Sequence, residues 1–283
     1  MRRIDERAIK AHADLRFRSE YDYALFEYHR SAKVIAWLDR AGVSSSGRVL
    51  DAGCGGGGMP VSLAEEAKLV VGIDPAERFQ EAGVRLGRER SLTNLHFALA
   101  DGMYLPFADG SFDLVLSHAV IEHVADATLY LRECARVLAR GGRMYLSTSP
   151  YLSFAGAHLP RLKIQVPLHL IAGRRVAFAT FRFLARHAPW TLKEPAHENS
   201  FIKAARRGEQ KHDDLLELVT VRRLRAQIAG AGLAILREDL HATATVRRMP
   251  PPLGRWLRRS PLTRDALTSN MEYVLARAGA SGG

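Results

Sequence analysis

The residues that could do chemistry begin in one short stretch, Val49-Leu50-Asp51-Ala52-Gly53-Cys54-Gly55-Gly56-Gly57-Gly58. An acid follows two apolar residues, and after it only Ala52 and Cys54 interrupt the glycines. Glycine is required where the backbone takes positive φ, or where a ligand must touch main chain with no Cβ in the way. A glycine turn between a strand and a helix N-terminus aims backbone N–H groups at an anionic or polar ligand. Gly53, Gly55 and Gly58 satisfy G-x-G-x-x-G, a weak signal alone. A flexible surface loop is the competing reading, and the strand and helix patterns on either side count against it. A second acid, Asp74, ends the apolar run Leu69–Ile73. An acid about 20 residues past such a turn grips a ribose hydroxyl in doubly wound folds. Asp74 also fits a helix N-cap with Pro75 at the first helical position, and the two roles are compatible. Cys54 reads as a small side chain fitted to the turn, with a reactive thiol as the alternative.

These residues need elements to hold them. Apolar runs predict strands at 48–52, 69–73, 95–99, 112–117 and 143–148, separated by helical patterns. Such alternation gives a mostly parallel sheet. Ser19 is placed to cap a helix running to Ala41, with Leu25, Tyr28, Ala32, Ile35 and Leu38 at helical period. Residues 1–18 read as a loose arm or short helix. Arg140-Gly141-Gly142-Arg143 reads as a helix-ending turn into the fifth strand. Thr220 is placed to cap a helix bearing Val221, Leu224 and Ile228. Leu233–Leu236 and Glu272–Ala276 read as the last two strands, with a long connection through Pro250–Pro252 and Arg255–Arg259 between them. Asp113, inside the fourth strand, reads as a structural partner of nearby backbone, and the tail from Gly279 as frayed.

Composition agrees. A chain of 283 residues with 47% hydrophobic content suffices for one large α/β domain, or one domain plus an insertion. Two cysteines, Cys54 and Cys134, argue against a disulfide framework and fit a reducing compartment. No apolar run follows the charged start, so no signal peptide is read there, and no apolar stretch is long enough to span a bilayer. The formal net charge is +11. It reads either as attraction for nucleic acid, anionic lipid or acidic substrates, or as a bias toward arginine.

Taken in order, the motifs resemble those of class I S-adenosylmethionine-dependent methyltransferases, in the broad group that includes the ubiquinone and menaquinone biosynthesis enzymes. Leu50-Asp51-Ala52-Gly53-Cys54-Gly55 looks like the first motif and Val71-Gly72-Ile73-Asp74 the second. Ala100-Asp101-Gly102 and the run Leu105–Val115 look like the third and fourth. Leu131–Leu138 and Gly141–Met144 look like the helix and fifth strand that follow. The match is dense over 45–150 and looser beyond. It implies an α/β, doubly wound, Rossmann-like sheet with an antiparallel C-terminal strand and a mainly helical insertion after strand 5. It implies S-adenosyl-L-methionine as cofactor, with Asp51, Gly53, Cys54, Gly55, Asp74, Pro75, Asp101, Gly102, Met103, Ser117 and His118 around it. Asp101 would accept from the adenine amino group, with Gly102 and Met103 against the ring. An ionised carboxylate suits this because it only accepts; a turn Asp before glycine is the plainer reading.

Ser117 and His118 fall just past the fourth strand, where open sheets bind ligands. His118 either takes a proton from the acceptor or only contacts the cofactor. Some quinone-pathway relatives bind a metal through an acid three residues before a Glu-His pair. Here that position is Ala119, so Glu122 and His123 read as structural or pocket-lining, with no metal expected. The helix from Ser19 would cover the cofactor, making Tyr21, Tyr28 and Arg30 candidate lining residues; Arg30 either pairs with the methionine carboxylate or is a solvated helix-face arginine.

The expected organisation is a cofactor-binding core at 1–150 with a helical cover, an acceptor-side insertion at 151–215, and a helix with the last two strands at 216–283. The insertion mixes arginines with apolar residues. It reads as a lid, an interfacial helix for a lipid-linked acceptor, or a surface for a phosphorylated or nucleic-acid acceptor. The expected reaction is in-line methyl transfer to a small-molecule or lipid-precursor acceptor. RNA methylation and a non-catalytic cofactor-binding module are the alternatives. The prolyl-prolyl-aromatic motif common in enzymes acting on nucleobase amino groups is absent after strand 4, which disfavours a nucleic-acid partner. The expected location is cytoplasmic, with peripheral membrane contact through 151–215.

Overall fold

The computed structural model describes residues 4–16, 18–154, 162–163, 168–192 and 218–279. Seven strands form one sheet: β1 (Arg48–Ala52), β2 (Leu69–Asp74), β3 (Leu95–Leu99), β4 (Phe112–His118), β5 (Leu138–Thr148), β6 (Leu233–Ala242) and β7 (Thr268–Arg277). Their order is β3-β2-β1-β4-β5-β7-β6. The β1–β2, β1–β4, β2–β3 and β4–β5 pairs are parallel, and the C-terminal strands are antiparallel. The chain therefore moves outward from β1 in one direction and returns to lay β4 on its other side. That reversal opens a crevice at the carboxyl ends of β1 and β4, where ligands of such sheets bind.

The helices are α1 (Glu6–Leu15), α2 (Glu20–Arg40), α3 (Gly58–Ala64), α4 (Arg78–Glu81), α5 (Gly83–Glu89) and α6 (Ala127–Val137), then α7 (Leu168–Ile171), α8 (Gly173–His187), α9 (Val221–Gly230), α10 (Ala244–Arg247), α11 (Pro251–Arg259) and α12 (Pro261–Leu267). Local chemistry explains their starts. The Asp5 carboxylate accepts from the Arg7 and Ala8 amides, Ser19 from Asp22, and Asp126 from Thr128 and Leu129; each satisfies N–H groups that a first helical turn leaves unpaired. Thr220 caps α9 through the Arg223 amide.

The chain divides into two compact units. One comprises Met1–Ser147, Arg225–Glu238 and Glu272–Gly283; the other comprises Thr148–Leu224 and Asp239–Met271. The main core of the first unit packs Trp37 and Leu38 of α2 and Met59 and Leu63 of α3 on Val49, Val70, Leu114 and Tyr145 of the sheet. In the second unit Ala177, Phe181 and Ala185 of α8 form a small core with Leu192.

Two expectations need revision. Strand β5 starts at Leu138 rather than 143, because Leu138 pairs with Phe112 while Arg143 pairs with Leu114, leaving a bulge where a turn was expected. Pro75 does not open a helix: the Asp74 carboxylate accepts from the Ala76 amide in an Asx turn, and α4 begins at Arg78. The long connection expected between the last two strands holds three short helices, α10 to α12. Asp113 does serve structure, accepting from the Arg48 amide at 2.8 Å and from its guanidinium at 2.9 Å.

Helix α2 lies hard against the glycine turn. A Cβ on Gly58 would sit 2.0 Å from the Ala24 carbonyl oxygen and 2.8 Å from the Tyr28 amide, whereas one on Gly56 would meet nothing nearer than 3.7 Å. Gly58→Ala should therefore lower unfolding free energy by about 1–3 kcal/mol, the usual cost of overpacking, while Gly56→Ala should stay within about 1 kcal/mol of wild type. Denaturant titration of both variants checks this, and equal losses would contradict it.

Candidate active site

The glycine turn is held from β2. The Gly53 and Cys54 amides both donate to the Ile73 carbonyl at 2.8 Å, and the Gly57 amide to the Cys54 carbonyl at 2.9 Å. The Gly55 amide donates to Asp74 Oδ2 at 2.9 Å. These four N–H groups are thus used within the chain rather than aimed at a ligand. What the turn offers is bare backbone: Gly53, Gly55 and Gly57 take positive φ, and a Cβ on Gly55 would find only Arg78 Nη2, at 4.0 Å. Cys54 is buried, and burial raises its thiol pKa, which removes the reactive-thiol reading.

Asp74 is buried and accepts from Gly55 through Oδ2 and Ala76 through Oδ1, with Arg78 Nη2 at 3.8 Å. An ionised carboxylate has about four lone-pair sites, so two donors leave capacity for a hydroxyl. Pro75 beside it is exposed. Asp101 is exposed just past β3, its Oδ1 accepting from the Met103 amide at 2.8 Å. Gly102 is held close over Tyr130, where a Cβ would fall 2.6 Å from the ring.

Tyr130 of α6 is a residue the sequence reading missed. Its hydroxyl lies 3.1 Å from the Ala52 carbonyl and 2.8 Å from Ser117 Oγ, so one buried phenol links the ends of β1 and β4. Ser117 is itself fully buried on this link. After β4 the backbone turns through Ala119 at φ 56, left-handed for a non-glycine residue. Val120 then closes on Gly53, where a Cβ would clash at 2.3 Å. Glu122 is buried in the following short 3-10 turn, Ile121–His123. Among the described residues, no group of three His, Cys, Asp or Glu is placed to hold a metal.

His118 stands at the tip of β4 with its ring parallel to that of Tyr145, centroids 6.2 Å apart. Tyr145 is fixed in turn by Trp37, edge-on at 5.4 Å, and by a 2.8 Å bond to Glu272. Burial presses His118 down to about 4; Arg30 acts in the same direction and Glu272 and Glu122 oppose it. The ring is neutral near pH 7, and its buried Nδ1 has no hydrogen-bond partner among the described residues.

Helix α2 contributes differently from expectation. Tyr28 bonds to Glu65 at 2.5 Å beneath the Arg90 guanidinium, and Tyr21 bonds to Glu89 beneath Arg85, so both anchor α2 on its neighbours. Arg30 lies 4.0 Å from Glu27. Glu27 is the second missed residue, with a buried Oε2 that has no hydrogen-bond partner among the described residues. Burial pushes it up to about 7, against the pull of Arg30 and Arg78. Burial, with Glu27 and Asp74 adding, pushes Asp51 up to about 8. The available signal for Glu27 was an acid sharing a helix face with Ala24 and Ser31, at spacings of three and four.

The family described as a methyltransferase domain matches residues 50–146, a span that includes the glycine turn, both acids and His118. Residues 50–146 thus form a methyltransferase domain, similar to those of class I S-adenosylmethionine-dependent enzymes. An uncharacterized methyltransferase of Mycobacteroides abscessus is 29% identical over 240 residues, 84% of this chain and 80% of its own length. The ubiquinone biosynthesis O-methyltransferase of Rhizobium rhizogenes is 37% identical over 102 residues, 36% of this chain. The matched part spans only 40% of that relative's length. In fold it is similar to the crystal structure of YcgJ from Bacillus subtilis, with a TM-score of 0.52 at 17% identity over 89% of this chain and all of the other. S-adenosylmethionine is the cofactor of this class. The residues fit an adenosyl group: side-chain-free backbone at Gly55, a carboxylate with spare acceptor capacity at Asp74, and an exposed carboxylate at Asp101.

The buried acids give the methyltransferase a pH signature. Asp51 and Glu27 have folded pKa values raised above their unfolded ones, so their contribution is full below about pH 4 and is lost as pH rises through 7 to 8. His118 acts oppositely, stabilising above about 6.5 and losing its effect as pH falls toward 4. Asp51→Asn combined with Glu27→Gln should flatten the decline in unfolding free energy between about pH 5 and 8. An unchanged decline, measured by denaturant titration across that range, would show that these carboxyls titrate as exposed groups.

Proposed function

We propose that the methyltransferase passes a methyl group to an oxygen of a small-molecule or lipid-precursor acceptor lying against His118. The observation that supports this is the imidazole itself: neutral, fixed by Tyr145, with an unpartnered Nδ1 at the carboxyl end of β4. The likeness of 50–146 to ubiquinone biosynthesis O-methyltransferases adds a hydroxyl acceptor to the reading.

The bound cofactor supplies a methyl group already activated by a positive sulfur, so the protein mainly orients the partners. In this reading the Gly53–Gly55 backbone receives the adenosyl group. Asp74 would accept from ribose hydroxyls and Asp101 from an adenine amino group, with Pro75, Gly102 and Met103 as the neighbouring cofactor-binding residues. Asp51, Cys54 and Ser117 shape the floor, and Glu27 and Arg30 border the methionine end. His118 accepts the hydrogen bond of the acceptor hydroxyl as the oxygen attacks. With a folded pKa of about 4 it holds a proton poorly and hands it on to solvent.

Titration calorimetry with S-adenosylhomocysteine and with NAD tests the cofactor assignment. S-adenosylhomocysteine should bind and NAD should not, and Asp74→Ala and Asp101→Ala should each weaken binding at least about tenfold, or about 1.4 kcal/mol. Unchanged affinity would refute those two roles. Product mass analysis over phenolic, quinone, glycan, lipid and RNA acceptors then identifies the substrate class. His118→Gln should retain S-adenosylhomocysteine affinity and lose about a hundredfold in kcat. Full activity with the variant would remove His118 from the reaction.

A further inference from the structure

The second compact unit presents two helices that each carry more apolar surface than its core uses. In α8 the face of Ala177, Phe181 and Ala185 is buried. Yet Val176 and Phe183, two turns apart on another side, are 52% and 60% exposed. Positions 175, 182 and 186 run in a line beside them, and all three are arginine. Trp190, just past the helix, is 67% exposed. Helix α11 repeats the arrangement. Its Gly254 is buried, a Cβ there falling 3.1 Å from Val246, so that side packs inward. Leu253 and Trp256, one turn apart, are 45% and 67% exposed, beside exposed Arg255 and Arg259.

The charge in these segments has one sign. Residues 168–192 hold four arginines and no acid, and residues 244–264 hold six arginines and no acid. A helix that only packs on its own unit needs one apolar stripe and a mixed polar face. An exposed stripe of Trp, Phe, Val and Leu flanked by unbroken positive charge is the composition of a helix lying in a membrane interface. Tryptophan favours that position because its ring is apolar and its N–H is polar. Nucleic acid would also meet the charge, but Val176 and Leu253 offer no π-face on which a base could stack.

We propose that α8 and α11 dock the methyltransferase on an anionic membrane surface. Val176, Phe183, Trp190, Leu253 and Trp256 enter the headgroup layer, and the neighbouring arginines meet lipid phosphates. Among the described residues no helix is long and apolar enough to cross a bilayer, so the contact is peripheral. Docking does not depend on the acceptor, although it would bring a lipid-dissolved acceptor to the protein.

Co-sedimentation of the full chain with phosphatidylcholine vesicles, with and without about a third phosphatidylglycerol, tests this. Binding should be at least about tenfold stronger with the anionic lipid and should weaken with added salt. Tryptophan emission should shift to the blue on binding, because Trp37 is already buried and only Trp190 and Trp256 can change environment. Trp190→Ser with Trp256→Ser should abolish the shift. Arg175→Glu with Arg255→Glu and Arg259→Glu should lower anionic-vesicle binding about tenfold, with melting temperature and S-adenosylhomocysteine affinity unchanged in both variants. Equal binding to neutral vesicles, or tight salt-sensitive binding of a bulk RNA with no vesicle binding, would overturn the proposal.

Discussion

The bond from the Gly55 amide to the Asp74 carboxylate ties the turn after β1 to the tip of β2, and the rest of the site is built around it. The Ile73 carbonyl takes the two preceding amides, so three consecutive N–H groups hang on the end of one neighbouring strand. A turn pinned in this way keeps its glycines at positive φ without help from a ligand. Helix α2 and Val120 then close on Gly58 and Gly53 at distances that no Cβ could share. On the other side of β1, the Tyr130 hydroxyl joins Ala52 to Ser117 and supports Gly102 from below. The glycine turn is therefore held in shape by the chain's own bonds.

Electrostatics follow from that closure. Packing α2 on the glycine turn takes Glu27 out of water close to Asp51 and Asp74, and desolvation raises two of these acids toward neutral pH. Loss of solvent likewise keeps His118 uncharged at the tip of β4. The site therefore combines carboxyls that ionise near neutrality with a neutral imidazole.

Much of this was legible in the sequence because it rests on local rules. Strand β1, its glycine turn and Asp74 announce themselves through apolar runs that stop at an acid or a glycine. Ser19 and Thr220 mark helix starts through a side chain that can reach an amide. What stayed hidden depends on partners distant in sequence. Nothing in Leu129-Tyr130-Leu131 shows that the phenol reaches strands β1 and β4, since an aromatic at that helical position reads as core. The use of the turn's amides by Ile73 and Asp74 is a product of β1–β2 register, which a single strand does not reveal. Tyr21 and Tyr28 lie on the expected helix, but their hydroxyls went to Glu89 and Glu65, acids whose positions only the packing of the neighbouring helices sets. The bulge in β5 escaped because Gly141-Gly142 is equally good chemistry for a turn.

A crystal structure of the chain with S-adenosylhomocysteine tests the pinned glycine turn most directly. The prediction is a ligand lying on the Gly53–Gly55 backbone, its ribose on Asp74 and its adenine toward Asp101, with the Gly55 amide still bonded to Asp74 and Tyr130 still joining Ala52 to Ser117. A ligand bound elsewhere, or a glycine turn that releases Asp74 and gives its amides to the ligand, would contradict it.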